Sequence, residues 1–234
     1  MASRPMASGT VLEDACSLSV RIFLKELHTM DRIDSFVAAA HKVGAAGLTV
    51  CSSGNLSWRY GDEVLISGTG SWLPELRREQ VAVVDFKTGR SLNGVKPSME
   101  HTFHLGVMRE REDVNVVLHF QSPYATALAC SKHIPADLNV TAELPCHVGA
   151  TIPCVPYRRP GSPQLAQAVI EAMREHHSIL LLKHGQVTCG KDFNQAFERA
   201  MFLEMACRIA ILNRGEFTVL TEEELLDIKE AFGV

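Results

Sequence analysis

Hydrophobic residues recur along this chain with two different spacings, and the first of these spacings is typical of strands. Residues 55–60 alternate between apolar and polar side chains, and several short apolar runs stand between turn-forming residues. A run of about four to eight such residues predicts a buried or half-buried strand. The strands predicted in this way cover residues 55–60, 63–67, 81–85, 114–121, 152–157 and 179–182.

The second spacing places apolar residues three and four positions apart, which predicts amphipathic helices. These helices cover residues 11–30, 36–43, 99–110, 123–130, 163–175 and 193–212, with a last short one after residue 221. Gly44 is expected to end the second helix. Capping residues precede several helices: Asp34 or Ser35, Ser98, Ser162 before Pro163, Asp192, and a capping box of Thr221 with Glu224.

Turn signals and the absence of linkers predict one mixed α/β domain. Gly61-Asp62 is typical of a tight turn between the first two strands, and residues 87–90 predict a second hairpin. The chain contains no repeat, low-complexity segment or internal linker. We therefore expect a single domain over 11–234 with a helical extension at 11–33, preceded by a disordered tail at 1–10.

Composition narrows the possible classes of function. The chain has 234 residues, of which 46% are hydrophobic, and this suits one domain with a substantial core. A net charge of −4 without a Lys/Arg block does not indicate a nucleic-acid surface. We find neither an apolar run long enough for a membrane span nor a signal peptide. The seven cysteines are scattered without a Cys-x-x-Cys pair, which is typical of reduced thiols, so we expect a cytoplasmic protein.

Histidines at the ends of two predicted strands form the candidate chemical centre. Because strand side chains alternate between faces, His119 and Gln121 at the end of the 114–121 strand point the same way. The run 179–182 is followed closely by His184. Two imidazoles and an amide oxygen at strand ends predict a catalytic metal site with an open position. The alternative is that each histidine is an ordinary hydrogen-bonded core or edge residue.

Glu100 stands at the start of a predicted helix and has two interpretations. A carboxylate in the first turn is favoured by the helix dipole, which needs no further function. Close to a metal ion, the same carboxylate would be a candidate general base. Glu100 and His104 are four residues apart and share a helix face, so a Glu/His metal pair is a weaker alternative to the strand-end site. His101 is expected to be solvated.

Two loops of small residues, 52–55 and 67–70, flank the first strands. Such loops can turn backbone N–H groups and hydroxyls towards an anion. Neither has the P-loop or dinucleotide-binding pattern, so ordinary turns are the alternative. Residues 139–149 fit neither the strand spacing nor the helix spacing; they contain Glu143 and His147, either of which could face the site.

Six short motifs follow one another in an order that can be compared with known families. They are Ser53-Gly54-Asn55-Leu56-Ser57, Ser67-Gly68-Thr69-Gly70, Lys96-Pro97-Ser98-x-Glu100, Val117-Leu118-His119-x-Gln121, Ile152-Pro153-x-Val155-Pro156-Tyr157 and Leu182-Lys183-His184-Gly185. In this order they resemble the class II aldolase/adducin family over about residues 34–212. The resemblance implies a three-layer α/β/α sandwich around a central mixed, largely antiparallel sheet. It also implies a homotetramer with sites at subunit interfaces.

The resemblance further implies roles for individual residues. In the aldolases of this family a zinc ion is held by three histidines, at positions that match His119, Gln121 and His184. The carboxylate that matches Glu100 moves the proton. The implied cofactor is therefore a divalent metal, with Zn²⁺ as the expected ion. The residues that match the family's phosphate site are Gly54, Asn55, Thr69, Gly70 and Ser98.

The chain departs from the family pattern at three places. Gln121 stands where the aldolases have their second histidine, and an amide oxygen is a weaker zinc donor than an imidazole. Met99 replaces a serine that is common in the phosphate site. The tyrosine expected after residue 139 is missing, and Glu143 or His147 lies near there as a possible metal ligand or second acid/base.

We therefore expect a metal-dependent aldolase that acts on a phosphorylated ketose or deoxyketose. With L-fuculose 1-phosphate, for example, the products would be dihydroxyacetone phosphate and an aldehyde. Two alternatives remain: a sugar-phosphate epimerase or dehydratase of the same fold, and a metal-free, adducin-like binding subunit. The epimerase of this family uses an aspartate where this chain has Glu100, which favours the aldolase.

Overall fold

A seven-stranded sheet organises the part of the chain that the computed structural model describes, residues 32–233. The strands are β1 (Asn55–Tyr60), β2 (Glu63–Ser67), β3 (Val81–Asp85), β4 (Val116–Phe120), β5 (Cys154–Val155), β6 (Ser178–Leu181) and β7 (Gly185–Gly190). They lie in the order β3-β2-β1-β4-β7-β6-β5, and every neighbouring pair is antiparallel except β5 and β6. The helix predicted over 11–30 and the tail predicted over 1–10 lie outside the described residues.

Helices cover both faces of this sheet. They are α1 (32–45), α2 (His101–Glu110), α3 (Pro123–Ala129), α4 (Pro163–Met173), α5 (Phe193–Leu212) and α6 (Glu222–Phe232). One buried cluster joins the first face to α1, α3 and α5, for example through Phe36 and Leu203. A second cluster joins the other face to α2 and α4 through Met108 and Val169. The predicted three-layer α/β/α fold is therefore confirmed.

The alternation of side chains along β4 decides which of its residues point towards α2 and which point towards α1, α3 and α5. Leu118 and Phe120 belong to the cluster under α1, α3 and α5. His119 lies between them and therefore points to the opposite face, where its ring meets Phe103 of α2 edge-on. In the sheet, Asn55 of β1 and Val187 of β7 stand directly opposite His119. His119 is thus held in the middle of the sheet.

Several predicted elements are confirmed in detail. β1, β2 and β3 have the predicted bounds, and Gly61 has a φ of 63° in the turn between the first two. Ser162 and Asp192 cap α4 and α5 by accepting hydrogen bonds from backbone N–H groups of the first helical turn. The capping box of Thr221 and Glu224 is present at α6. Within residues 32–233, no helix is long and apolar enough to cross a bilayer.

The predicted start and end of the helix over 36–43 are wrong. α1 is already helical at residue 32, so neither Asp34 nor Ser35 caps it. Gly44 does not end the helix, which continues to residue 45. A Cβ atom at Gly44 would lie only 2.5 Å from Cγ of Pro74, so this glycine serves close packing.

The predicted start of α2 is also wrong, and this changes the setting of Glu100. The helix begins at His101, and Glu100 is its N-cap residue without a side-chain capping bond. Ser98 organises the turn before the helix instead of capping it. Its hydroxyl accepts from the Glu100 N–H at 3.2 Å, and its carbonyl accepts from the His101 N–H at 3.0 Å.

Three predicted strand segments are shorter than expected. The strand predicted over 114–121 is β4, Val116–Phe120, which leaves Gln121 just beyond its end. Only Cys154–Val155 of the strand predicted over 152–157 joins the sheet, since prolines stand on both sides of it. The strand expected to return after β3 is reduced to one bridge between Val84 and Ser91. Residues 139–149 include a short π-helical turn, Leu144–Val148, which α6 contacts.

Candidate metal centre

Three side chains from different elements converge on the α2 side of the sheet. Oε2 of Glu100 lies 3.4 Å from Nε2 of His119, and Oε1 of Glu100 lies 3.6 Å from Nε2 of His184. The centroids of the two imidazole rings are 4.8 Å apart. Glu100 and His119 are buried, and His184 is mostly buried. A carboxylate and two imidazoles in this arrangement form a group that could hold a metal ion.

His119 presents an unprotonated nitrogen to this group. Its Nδ1 lies 2.8 Å from the carbonyl oxygen of Gln186 on the neighbouring strand β7. Because a carbonyl only accepts hydrogen bonds, Nδ1 carries the proton and Nε2 keeps its lone pair. A histidine that donates its second N–H to a backbone carbonyl in this way is typical of metal ligands.

Gln121 follows β4 and reaches the same group. Its Nε2 lies 2.7 Å from Nε2 of His119, so the amide N–H donates to the histidine lone pair. Its Oε1 is buried without a hydrogen-bond partner in the part of the chain that the structure describes. Gly185 leaves space for this amide, because a Cβ atom there would lie only 3.0 Å from Nε2 of Gln121.

His184 is held by the tight turn between β6 and β7. Lys183 before it has a φ of 59°, a left-handed conformation that is unusual for a residue other than glycine. The backbone N–H of His184 donates to the carbonyl of Leu181 at 3.0 Å. Burial, together with the nearby imidazole of His119, lowers the pKa of His184 to about 4, although the charge of Glu100 acts in the opposite direction. The ring is therefore neutral at pH 7, as a metal ligand must be.

Glu100 is held from β1 by Asn55. Nδ2 of Asn55 donates to Oε2 of Glu100 at 3.0 Å, and Oδ1 of Asn55 lies 2.5 Å from Nε2 of His104. Nδ1 of His104 in turn lies 2.7 Å from the hydroxyl of Ser57. All four residues are buried. His104 therefore faces Asn55 and Ser57 and is not part of the group of possible metal ligands.

The group fits a divalent cation. Oε1 of Glu100 and Oε1 of Gln121 are buried, and neither has a hydrogen-bond partner within residues 32–233. A buried acceptor without a partner costs free energy, and a cation between these oxygens and the imidazole nitrogens would remove that cost. Imidazole nitrogens combined with oxygen donors suit zinc and several other first-row divalent metals.

The residues predicted to bind a phosphate lie around the turn that carries Glu100. Gly54 approaches the backbone of β4, since a Cβ atom there would lie 2.8 Å from the His119 carbonyl oxygen. The loop with Thr69 and Gly70 lies against the segment before Glu100, because the Thr69 N–H donates to the Lys96 carbonyl. Thr69 and Gly70 are exposed, whereas Asn55 and Ser98 are buried.

Glu143 and His147 do not join the metal group within this chain. Both are exposed, and the ring of His147 stacks on Phe202 of α5 with centroids 4.6 Å apart. The carbonyl of His147 accepts from Arg199, which also donates to the carbonyl of Cys189. This places His147 beside the end of β7 that is remote from the His184 turn.

Ser57 and Gln186 are two contributors that our sequence analysis did not single out. The alternation along β1 places Ser57 on the same face as Asn55, and this signal was available. Gln186 contacts His119 through its backbone carbonyl. Every residue has such a carbonyl, so nothing in the sequence signals this contact.

Comparison with known proteins identifies the family. A sequence model of the class II aldolase and adducin N-terminal domain matches residues 34–211. The L-fuculose phosphate aldolase of Haemophilus influenzae is 35% identical over 185 residues, which are 76% of this chain and 83% of that protein. The 3-oxo-tetronate 4-phosphate decarboxylase of the same species is 33% identical over 187 residues, 78% and 89% of the two chains.

A solved structure gives the same result for the fold. Escherichia coli YgbL, whose reaction is given only as aldolase, epimerase or decarboxylase, has a TM-score of 0.79 and 28% identity. The comparison covers 85% of this chain and 98% of YgbL. The chain belongs to the class II aldolase and adducin family, and it is an enzyme of the class II aldolase type.

Proposed function

We propose that this chain is a metal-dependent aldolase that cleaves a phosphorylated ketose or deoxyketose to dihydroxyacetone phosphate and an aldehyde. L-fuculose 1-phosphate is the reference substrate, because it is the substrate type named for a relative with 35% identity. The observation that carries the proposal is the convergence of Glu100, His119 and His184, whose nitrogen and oxygen atoms lie 3.4 and 3.6 Å apart and are largely buried. Aldol cleavage at such a site needs an electrophile and a proton-transfer group, and this group of residues can supply both.

His119, His184 and Gln121 are the proposed ligands, and zinc is the proposed ion. A divalent ion held there supplies Lewis-acid chemistry, which draws electron density from the oxygens of the substrate. His119 is oriented for this role by its bond to Gln186, and His184 by its position in a tight turn. Gln121 contributes an amide oxygen, which is a weaker donor than the imidazole it replaces.

Glu100 is the proposed acid/base group. Its Oε1 faces the two histidines, is buried, and accepts no hydrogen bond from residues 32–233. In the cleavage direction, this carboxylate takes the proton from the hydroxyl on the carbon that becomes the aldehyde. The electron pair of the broken carbon–carbon bond stays on the triose phosphate carbon, which is then protonated to give dihydroxyacetone phosphate.

Small-residue loops are proposed to hold the phosphate. Thr69 and Gly70 are exposed beside the turn of Ser98, which ends at Glu100. Gly54 contributes backbone, and Asn55 joins this region to the acid/base group because its side chain donates to Glu100. A phosphate bound there would fix the reacting carbons against the metal group and lower the entropic cost of reaction.

Decarboxylation of a phosphorylated 3-oxo acid is the second candidate function. It is favoured by the 33% identity to the 3-oxo-tetronate 4-phosphate decarboxylase. Loss of carbon dioxide from such an acid leaves an electron pair on a carbon next to a carbonyl, as aldol cleavage does. Glu100 would then act only as the acid that protonates this carbon. Epimerisation and dehydration of a sugar phosphate remain alternatives, since they too would use the metal group and Glu100.

Three measurements test these proposals in order. The first is elemental analysis of the untagged protein, where near-stoichiometric metal is expected. The second is incubation of the metal-loaded protein with dihydroxyacetone phosphate in D₂O, where deuterium should enter the hydroxymethyl carbon. Failure of this exchange contradicts both the aldolase and the decarboxylase. The third compares addition of dihydroxyacetone phosphate to lactaldehyde with release of carbon dioxide from 3-oxo-tetronate 4-phosphate, and the faster reaction decides between the two.

We also propose that the chain forms a homotetramer with sites between subunits. This assembly would offer the exposed Glu143 and His147 to the site of a neighbouring copy. Sedimentation equilibrium should give four times the chain mass of 25.7 kDa. A monomeric mass, with full activity, would contradict this assembly and leave Glu143 and His147 without a role in catalysis.

A further inference from the structure

Glu100 depends on a single hydrogen bond for its orientation. Among the described residues, only Asn55 Nδ2 donates to its carboxylate, at 3.0 Å, and the helix that follows does not cap onto it. Asn55 itself is oriented by what its other amide atom contacts, and that contact is Nε2 of His104 at 2.5 Å. The orientation of the Glu100 carboxylate therefore depends on His104, which acts on it through Asn55.

The direction of each hydrogen bond in this chain of contacts can be worked out. The carboxylate of Glu100 is an acceptor, so Asn55 turns its Nδ2 to Glu100 and its Oδ1 to His104. His104 must then donate from Nε2. Complete burial, together with nearby His119 and His101, lowers the pKa of His104 well below its ordinary value, so the ring carries one proton. Nδ1 is left as an acceptor, and the Ser57 hydroxyl donates to it at 2.7 Å.

The opposite arrangement is available and would disturb Glu100. The Ser57 hydroxyl could instead accept from Nδ1 of His104 and donate to the carbonyl of Val117, which lies 3.4 Å from it. If Nδ1 carried the proton, Nε2 would become an acceptor and the Asn55 amide would turn over to donate to it. Oδ1 of Asn55 would then face the carboxylate of Glu100, which is repulsive. A Ser57 hydroxyl that donates to Nδ1 at 2.7 Å, instead of to the more distant Val117 carbonyl, keeps the arrangement that avoids this repulsion.

We infer that Ser57 and His104 are positioning residues, which hold the Asn55 amide in the orientation that donates to Glu100. The inference rests on the proposed acid/base role of Glu100 and adds the residues that set its geometry. Both residues are fully buried between β1 and α2, where His104 stacks on Phe103 with centroids 4.6 Å apart. Apolar side chains of similar shape would be about as stable at such a place, so packing alone gives no reason for this polar pair.

The proton position on His104 tests the inference without any assay of activity. ¹⁵N NMR of histidine-labelled protein distinguishes the two tautomers, and the His104→Gln variant assigns the signal. The wild-type protein should show His104 protonated at Nε2, and Ser57→Ala should shift the proton to Nδ1. A wild-type ring protonated at Nδ1, or a tautomer that Ser57→Ala leaves unchanged, overturns the inference.

A matched pair of substitutions at His104 tests the effect on catalysis. The amide nitrogen of a glutamine can replace Nε2 as the donor to Asn55, whereas asparagine reaches only the position of Nδ1. With dihydroxyacetone phosphate in D₂O, His104→Asn should lower the exchange rate constant by on the order of 10²-fold, as small misplacements of catalytic groups do. Its KM should stay within about twofold, since the exposed loop of Thr69 and Gly70 that is proposed to hold the phosphate is unchanged. His104→Gln should recover most of the rate.

A core substitution separates positioning from loss of stability. Val169→Ala removes buried volume from α4 in the same layer, away from Asn55 and Glu100, and its rate constant should equal that of the wild type while its Tm falls. Equal rates for His104→Asn and the wild type overturn the positioning role. Absence of exchange in the wild type would instead contradict the proposed function, and the tautomer result would still decide the inference.

Discussion

The side-chain nitrogen of Gln121 lies 2.7 Å from Nε2 of His119, the nitrogen that a metal ion would also use. The two uses exclude each other, because the lone pair that accepts the amide N–H is the one that would bind the ion. A half-turn of the amide exchanges its N–H and its oxygen in the same space. Metal binding therefore requires Gln121 to give up one hydrogen bond and to present Oε1, which has no partner within residues 32–233.

Replacing Gln121 by histidine should raise the affinity for zinc. The change removes the competing N–H and substitutes an imidazole nitrogen for a weaker oxygen donor, so the Kd for zinc should fall by about tenfold or more, which corresponds to about 1.4 kcal/mol. Competition with a chromophoric chelator measures this Kd. Gln164→His, which adds an exposed histidine on α4, is the matched control and should leave the Kd unchanged. Equal affinity in Gln121→His and the wild type would place Gln121 outside the metal site.

Removal of His184 should abolish stoichiometric metal binding. His184→Ala leaves one imidazole at the site, and the remaining oxygen donors alone favour zinc only weakly. Elemental analysis after zinc loading and dialysis should find little metal in this variant. His133→Ala removes an exposed histidine outside the site and should retain the wild-type amount. Unchanged metal content in His184→Ala would show that the ion binds elsewhere.

Glu100→Gln should separate metal binding from proton transfer. The amide cannot take up a proton, so deuterium exchange into dihydroxyacetone phosphate should fall by about 10²-fold or more. His119, His184 and Gln121 remain, and zinc content should therefore stay close to stoichiometric. Glu110→Gln, at the far end of the same helix, is the control and should keep the wild-type exchange rate. A Glu100→Gln protein that exchanges at the wild-type rate would remove Glu100 from the mechanism.

Periodicity and short-range chemistry predicted the sheet and most helices, and they singled out Glu100, His119 and His184, which the structure brings together as a candidate metal group. Strand alternation predicted that His119 and Gln121 point the same way, and their side chains do meet although Gln121 lies just beyond the end of β4. The strands β1, β2 and β3 keep their predicted bounds. Rules based on neighbouring residues gave wrong helix ends where contacts with distant parts of the chain determine the structure. Gly44 looked like a helix stop because its sequence context does not reveal Pro74, whose Cγ would lie 2.5 Å from a Cβ there.

The connections within the site were harder to predict than its members. Glu100 and His104 stand four residues apart on one segment, and this spacing left a direct Glu/His metal pair as a weaker alternative to the strand-end site. The structure places Asn55 of strand β1 between them. The sequence separations of 45 and 49 residues in these hydrogen bonds lie far beyond the reach of any local pattern. The start of α2 at His101 was missed for a related reason, since Ser98 bonds within a turn rather than to the helix.

The stability of the metal-free protein should fall as the pH is lowered from about 6.5 towards 4. Burial lowers the pKa of both His184 and His177 to about 4, while the unfolded chain has the ordinary value of about 6.5. In this window the unfolded state binds more protons than the folded state, so acid favours unfolding. Above pH 6.5 both states are unprotonated at these residues, and the effect vanishes. Each histidine can contribute up to about 1.4 kcal/mol per pH unit.

Urea unfolding of the metal-free protein at about pH 7, 6 and 5 measures this dependence. His184→Asn should reduce the slope of unfolding free energy against pH, since it removes one of the groups that titrate differently in the two states. His133→Ala removes an exposed histidine outside the site and should leave the slope unchanged. Stability that rises on acidification over this range would contradict the neutral, buried state of His184.

Lys183→Gly should stabilise the protein although it removes a long side chain. Lys183 has a φ of 59° in the turn before His184, and this left-handed conformation costs a residue with a Cβ atom about 1–2 kcal/mol. Glycine avoids that cost but loses about 0.5–1 kcal/mol of extra chain entropy on folding, so a net gain of about 0.5–1 kcal/mol is expected. Calorimetry should show this as a higher Tm. Lys191→Gly is the matched control, because Lys191 is exposed and does not have a positive φ; it should lower the Tm. A lower Tm in Lys183→Gly as well would show that the lysine side chain stabilises this turn by more than the backbone conformation costs.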